Sequence, residues 1–323
     1  MMMVDKEHMM KMMTSPLRAC ALALALAGFT GGAMHAQPVG APDASYAEID
    51  ADPAIWLLED EDTRLYLFGT VHLLPATLDW RTEAFQTAFA EADTLWLEAD
   101  VVSEQAQAQM GALLPRYGFN PAGVTLSSLL SEDAIAVLSA EGPKLGLAPA
   151  AMEGLQPWLA SVTIAVSQIT ALGYDPNSGV DQVLARDAAE TGMAFAYFET
   201  VEDQFSAFAS VPLEAQARDM ERGLADLQAG PEIINRIVRA WAVGDMDELD
   251  AAINVEMREQ SPETYQAIMV ERNHNWIPHI IAALAEPGVA FMAVGAGHMP
   301  GEEGVIALLE AEGYAVSRLN PQP

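Results

Sequence analysis

Cysteine is almost missing from this chain: one residue in 323, Cys20. It stands beside Arg18 at the start of the apolar run ACALALALAGF, residues 19–29, whereas a lipoprotein cysteine would follow such a run. Once that run is removed no thiol is left, which excludes disulfides and thiol nucleophiles and leaves His, Asp and Glu to hold any metal. Basic residues are also scarce, with 15 Lys and Arg against 46 Asp and Glu and a formal net charge of −31. Nucleic acid and anionic membrane surfaces are therefore poor partners, because both would be repelled. A solvated acidic surface accounts for the excess. No long apolar run follows residue 29, so no membrane span is expected. The zinc signature His-Glu-x-x-His, internal repeats of domain size and low-complexity tracts are absent too.

What is present begins with an export signal. Lys11 and Arg18 precede the apolar run, and GGAMHAQP with Ala33 and Ala36 follows it in the manner of a cleavage site. The expected organisation is a signal peptide over residues 1–36, a linker over 37–54 and a single domain over 55–320, in a periplasmic or secreted protein.

Apolar strand-like runs occur at 55–60 (IWLLED), 64–69 (RLYLFG), 94–100 (TLWLEAD), 193–199 (MAFAYFE), 289–294 and 314–319. Asp60, Glu61, Asp62 and Thr63 join the first two in a tight turn, and a helix over 80–91 leads to the third. Strand, helix and strand in succession suggest a parallel βαβ unit. From 101 to 285 the pattern is mainly helical. Ser131 and Ser261 are expected N-caps, Pro262 suits a first helical position, and Gly192 closes a helix over 179–191. The predicted fold class is α/β: a largely parallel sheet core built from about 55–100, 193–200 and 286–320, with a mainly helical insertion from about 101–285. Neither end of the chain can complete the sheet alone.

Two strand exits share one pattern. RLYLFGTVHLLP runs from Gly69 to His72, and VAFMAVGAGHMPG from Gly295 to His298. Glu98 ends a third strand. The carboxyl ends of strands in an open parallel sheet face one crevice, so these three residues are expected to converge. Gly69 and Gly295 are expected to turn the chain sharply by adopting dihedrals open to glycine. Two imidazoles and a carboxylate are a ligand set for a divalent transition metal ion that leaves a position for water, which the metal acidifies into a nucleophile. Glu98 has two further readings, as general base or as cap of the next segment. Arg272 and Asn273, on the helix before the last core strand, are candidates to orient substrate or hold a water, and a surface salt bridge is the other reading of the arginine. Asp181, Gln182, Glu199 and Gln204 are further candidates for the cleft, with caps and exposed faces as the alternative. His274 and His279 are five apart, on different helical faces, so no shared metal is expected there. Gly295, Gly297 and Gly301 also resemble a dinucleotide loop, but RLNPQP offers no acidic residue where one is needed.

The blocks YLFGTVHLLP, WLEAD, GVDQVLARDAA, FETVEDQF, ERNHNWIPHI and VAFMAVGAGHMPGEEGVIALLEAEGYAVSRL, in that order over about residues 50–320, resemble the TraB/GumN family, which is related to the Tiki proteases and more loosely to the EreA/ChaN-like group. Phe198 before Glu199 departs from the aliphatic residue usual there. The resemblance implies an α/β core with a helical insertion. It also implies a metal-dependent, peptidase-like hydrolase using His72, His298 and Glu98, supported by Arg272 and Asn273. The alternative is a non-catalytic protein that sequesters a peptide signal or haem. Another is a helical insertion that serves an envelope partner while the site stands idle.

Overall fold

The computed structural model describes residues 44–100, 103–227 and 229–320. The expected export signal, residues 1–36, and the first part of the expected linker, residues 37–43, lie outside the described residues. β1 (Ile55–Glu59) and β2 (Thr63–Thr70) form an antiparallel hairpin. The Asp60 carboxylate shapes its turn by accepting from the backbone N–H groups of Asp62 and Thr63, at 3.2 and 3.0 Å. α1 (Glu83–Glu91) starts later than the apolar spacing predicts, because Thr82 caps it and Trp80 stays outside it to pack edge-on against Phe85. β3 (Thr94–Leu97) follows.

The strands β4 (Ala194–Tyr197), β5 (Gly288–Gly295) and β6 (Val316–Arg318) complete one six-stranded sheet in the order β4-β3-β5-β2-β1-β6. The four strands β4, β3, β5 and β2 are parallel, and β1 runs antiparallel to both β2 and β6. β2 and β3 are thus parallel as expected but are not neighbours: β5, from the far end of the chain, lies between them. Such a strand is covered on both faces and reads as an apolar run. Phe291 of β5 packs with Phe68, Phe85 and Phe89 on one face, where its ring is fully buried. On the other, Met292 belongs to the cluster that Trp276 and Leu309 complete. Each fully buried ring contributes roughly 1.5–3 kcal/mol of transfer free energy.

Between β3 and β5 the described chain is helical apart from β4 and connecting turns. α2 (Val180–Thr191) ends on Gly192 in the left-handed conformation, as its sequence predicts. α3 (Val201–Ser210), α4 (Glu271–Leu284) and α5 (Val305–Ala311) flank the sheet exits. Two single π-helical turns interrupt this region, Ala251–Val255 and Gln266–Val270. Such turns recur at functional sites because the widened ladder redirects side chains.

Three local expectations change. Ser261 precedes Pro262 but makes no cap bond; its hydroxyl donates to Asp219 Oδ1 at 2.6 Å instead. Residues 44–54 of the expected linker are docked on the domain through Tyr46, which is buried and hydrogen-bonded to Tyr174 and Asn235. Gly69 and Gly295 are not left-handed; Gly295 has φ −50° and ψ 134°. Their smallness serves close approach. A Cβ on Gly69 would lie 3.0 Å from Ala296 Cα, and one on Gly295 would lie 3.1 Å from Glu98 Oε1.

Candidate functional site

The two Gly-x-x-His turns leave adjacent parallel strands almost in register, Gly69 facing Val294 and Thr70 facing Gly295. Gly69 then abuts Ala296, so the turns touch. The imidazoles come together beside Gly295. The position of a Cβ there is 3.5 Å from His298 Cδ2, 3.9 Å from His72 Nε2 and 3.1 Å from Glu98 Oε1. Glu98 leaves β3 and Glu199 leaves β4, so four parallel strand exits supply one site, the crevice that the topology of an open sheet provides.

His72 is aimed from behind. Its Nδ1–H donates to Asp181 at the start of α2, and Thr70 Oγ1 donates to the other Asp181 oxygen at 2.5 Å. The backbone delivers this pair: Val180 N–H bonds Val71 O at 2.9 Å, which lays α2 against the exit of β2. Trp241 Nε1–H meanwhile holds Gly69 O at 2.7 Å. Burial alone pulls the His72 pKa down, but the charge and hydrogen bond of Asp181, with help from Glu98, raise it above the ordinary imidazole value. Its Nε2 is buried and has no hydrogen-bond partner. An orphaned ring nitrogen costs stability and marks a place meant for a ligand or water.

His298 is in the opposite state. Asn273 Nδ2 donates to Glu303 O at 2.7 Å, which fixes its amide so that Oδ1 accepts from His298 Nδ1–H at 2.6 Å. The remaining lone pair on His298 Nε2 then faces Arg272 Nη1 at 3.2 Å. Burial, reinforced by the Arg272 charge, pushes His298 down to about 3, so the ring is neutral.

Arg272 organises the rest. It binds Glu199 through Nε and Nη2, Glu98 Oε2 through Nη2 at 2.5 Å and Ile268 O through Nη1 at 3.4 Å. Its plane lies over Trp276, 4.9 Å from guanidinium carbon to ring centre, and Trp276 also packs at 4.5 Å on His298. All three guanidinium nitrogens are engaged by protein, so Arg272 positions the carboxylates and His298. Glu98 further accepts from Gly295 N–H at 2.6 Å and Gln204 Nε2 at 3.1 Å. Burial raises its pKa, but Arg272 above all, with both histidines and the Gly295 N–H, brings it down to about 2. So weak a base is ill suited to take a proton from water. Burial raises Glu199 despite the same arginine.

Of the residues singled out from the sequence, His72, Glu98, His298, Arg272 and Asn273 are brought together, joined by Asp181, Glu199 and Gln204. Among the described residues no hydrogen bond or ion pair joins the Gln182 side chain to them. His274 pairs with Glu303 away from the site, at 2.9 Å. Thr70, Trp276 and the π-turn residues were not foreseen; the two π-turns carry no sequence mark that separates them from ordinary helix.

The expected divalent ion can be tested on the donors. His72 Nε2 and Glu98 Oε1 both lie within 4 Å of the Cβ position at Gly295, the latter accepting from Gly295 N–H, whereas His298 Nε2 is taken by Arg272. Among the described residues no group of three His, Cys, Asp or Glu is arranged to hold a metal ion. The side chains as they stand thus offer two donors and do not fit a three-ligand site.

A model of the TraB/PrgY/gumN family matches residues 54–318. The chain belongs to the TraB/PrgY/gumN family. The match runs from β1 to β6 and so takes in all four strand exits and every residue of the site. No curated protein and no solved structure matches the chain.

Proposed function

We propose that this family member is an exported hydrolase of esters or amides in which His72 is the general base. The observation that carries this reading is the unpartnered Nε2 of His72, buried beside Glu98 while Asp181 holds Nδ1. A base oriented by a carboxylate behind it is the arrangement acyl-transfer chemistry needs. Nε2 takes a proton from a water in the pocket, the water oxygen bonds to the substrate carbonyl carbon, and the C–O or C–N bond breaks. The leaving group takes the proton back from His72. Asp181 and Glu98 stabilise the imidazolium between these steps. A general base contributes about 10²–10⁴-fold to rate.

Purified protein assayed on p-nitrophenyl esters and peptide p-nitroanilides tests this. His72→Ala is expected to lose about 10²–10⁴ in kcat/KM. The acid limb of the wild-type profile is expected above the ordinary imidazole pKa, because the base works only when deprotonated and its pKa is raised. Asp181→Asn should move that limb to lower pH. Undiminished turnover in His72→Ala, or no turnover of any probe, overturns the reading.

The metal-dependent form of the same activity finds two donors in this arrangement, His72 Nε2 and Glu98 Oε1, which lie 3.9 and 3.1 Å from the Cβ position at Gly295. Loss of activity after chelation, restored by a divalent ion, would decide for it. Sequestration without turnover is the outcome if a peptide or haem is retained unchanged.

A further inference from the structure

The pocket beside the reactive turns is lined by two unlike sets of side chains. The polar set is Thr70, His72, Glu98 and His298. The apolar set is Ile237, Ile253, Met257, Ile268 and Met269, with no charged or hydrogen-bonding side chain among them. Ile253 comes from the first π-turn, and Ile268 and Met269 from the second. This wall is fastened to the reactive turn: Asn254 Nδ2 donates to Gly297 O at 2.9 Å, and a Cβ on Gly297 would lie 3.0 Å from Ile253 Cγ2 and 3.1 Å from Met269 Cε. The pocket encloses about 40 Å³. One water needs roughly 10–15 Å³ on the same measure, so the space suits a group of a few heavy atoms.

The geometry points to a specificity subsite for a short, uncharged aliphatic group attached directly to the carbonyl that is attacked. This rests on the hydrolase reading of His72. A charged group seated among the five apolar side chains would lose its hydration there. A longer chain would collide with Met269 and Ile253. The shared chemistry has two sources, the acyl chain of an ester and an aliphatic side chain next to a scissile peptide bond. Met269, an adaptable apolar side chain in contact range of the reactive turn at Gly297, is the residue of this wall taken to set the length limit.

The test is a chain-length series: p-nitrophenyl acetate, butyrate and octanoate for the ester source, and N-acetyl-glycine, -valine and -aspartate p-nitroanilides for the peptide source. Wild type is expected to prefer butyrate to acetate and octanoate, and valine to glycine and aspartate, by about tenfold or more in kcat/KM, the scale of methylene discrimination in an apolar pocket. Met269→Ala should move the ester optimum to longer chains. Gly297→Ala, which adds a methyl group 3.0 Å from Ile253 Cγ2 and 3.1 Å from Met269 Cε, should move it to acetate. Turnover with no chain-length dependence, or an optimum unmoved in both variants, overturns the subsite while leaving the hydrolase reading intact. If no probe is turned over, the hydrolase reading fails and the subsite is read by binding. In protein carrying 13C-methyl methionine, butyramide should shift the Met257 and Met269 signals and succinate should not. Absence of that shift overturns the subsite.

Discussion

Arg272 is the residue on which the site depends most and which does least chemistry. Buried ion pairs add little net stability, because desolvation offsets attraction, but removing one partner leaves the other charge stranded. Here one guanidinium faces two buried carboxylates, Glu98 and Glu199. Arg272→Met is expected to cost about 3–5 kcal/mol in denaturant unfolding. Arg272→Lys should recover little of it, since an ammonium cannot span Glu98, Glu199 and His298 in one plane or lie over Trp276 in the same way. Equal stability of the lysine variant and wild type would mean that charge alone, without the fork, holds the site. The contrast between the histidines is also settled at this scale. One has its lone pair free and a carboxylate behind it; the other has its lone pair occupied by Arg272 and is held neutral.

Among the elements, the two Gly-x-x-His turns work as a pair of exits from neighbouring strands. The expectation that their glycines serve unusual dihedrals was reasonable for a glycine at a sharp turn, yet Gly295 sits at φ −50°, where any residue is comfortable. The physical requirement is space for a neighbour. Gly295→Ala places a methyl group 3.1 Å from Glu98 Oε1, on the backbone N–H that Glu98 accepts from. The expected result is a displaced carboxylate with the sheet intact: hydrolysis falls at least tenfold while unfolding shifts by about 1–3 kcal/mol, the usual cost of overpacking. Circular dichroism together with the p-nitrophenyl assay checks this. Loss of the fold itself would place the role of Gly295 in the strand and remove it from the site.

For the molecule as a whole, acid should be destabilising through the site although it relieves repulsion at the surface. The ordinary pKa of His298 is 6.5 and its folded value is about 3. Between those values the unfolded chain binds a proton that the folded site refuses, so stability falls as pH drops from 6.5 toward 3. Glu98, ordinarily 4.5 and held at about 2, adds the same sign between 4.5 and 2. His72 acts oppositely: its stabilisation is complete below its ordinary value and is lost as pH rises through its raised folded value. A chain of net charge −31 meanwhile gains from neutralising surface carboxylates on acidification. The site's share is therefore read as a difference: Tm measured from pH 6.5 to 4 should fall more steeply in wild type than in His298→Gln. Parallel curves would mean that His298 is not held neutral.

The sequence by itself determined most of the strands, because short, largely apolar runs ending in Gly or an acidic residue have few other readings, and it determined the helix stop at Gly192. Residue types and their place at strand ends sufficed to nominate His72, Glu98 and His298. Asp181, Glu199 and Gln204 were legible only as possibilities, since a carboxylate that caps a helix and one that orients an imidazole look alike in one dimension. Tertiary structure alone decided the rest. It inserted β5 between β2 and β3, which makes the two histidine turns neighbours; no local pattern encodes which strand pairs with which. It gave the His298 lone pair to Arg272 and left that of His72 open, a difference between two identical motifs that arises entirely from what packs behind each. And it folded two unmarked stretches of helix into π-turns whose side chains close the pocket, because a helix can widen by one residue without any change in composition when its surroundings hold it there.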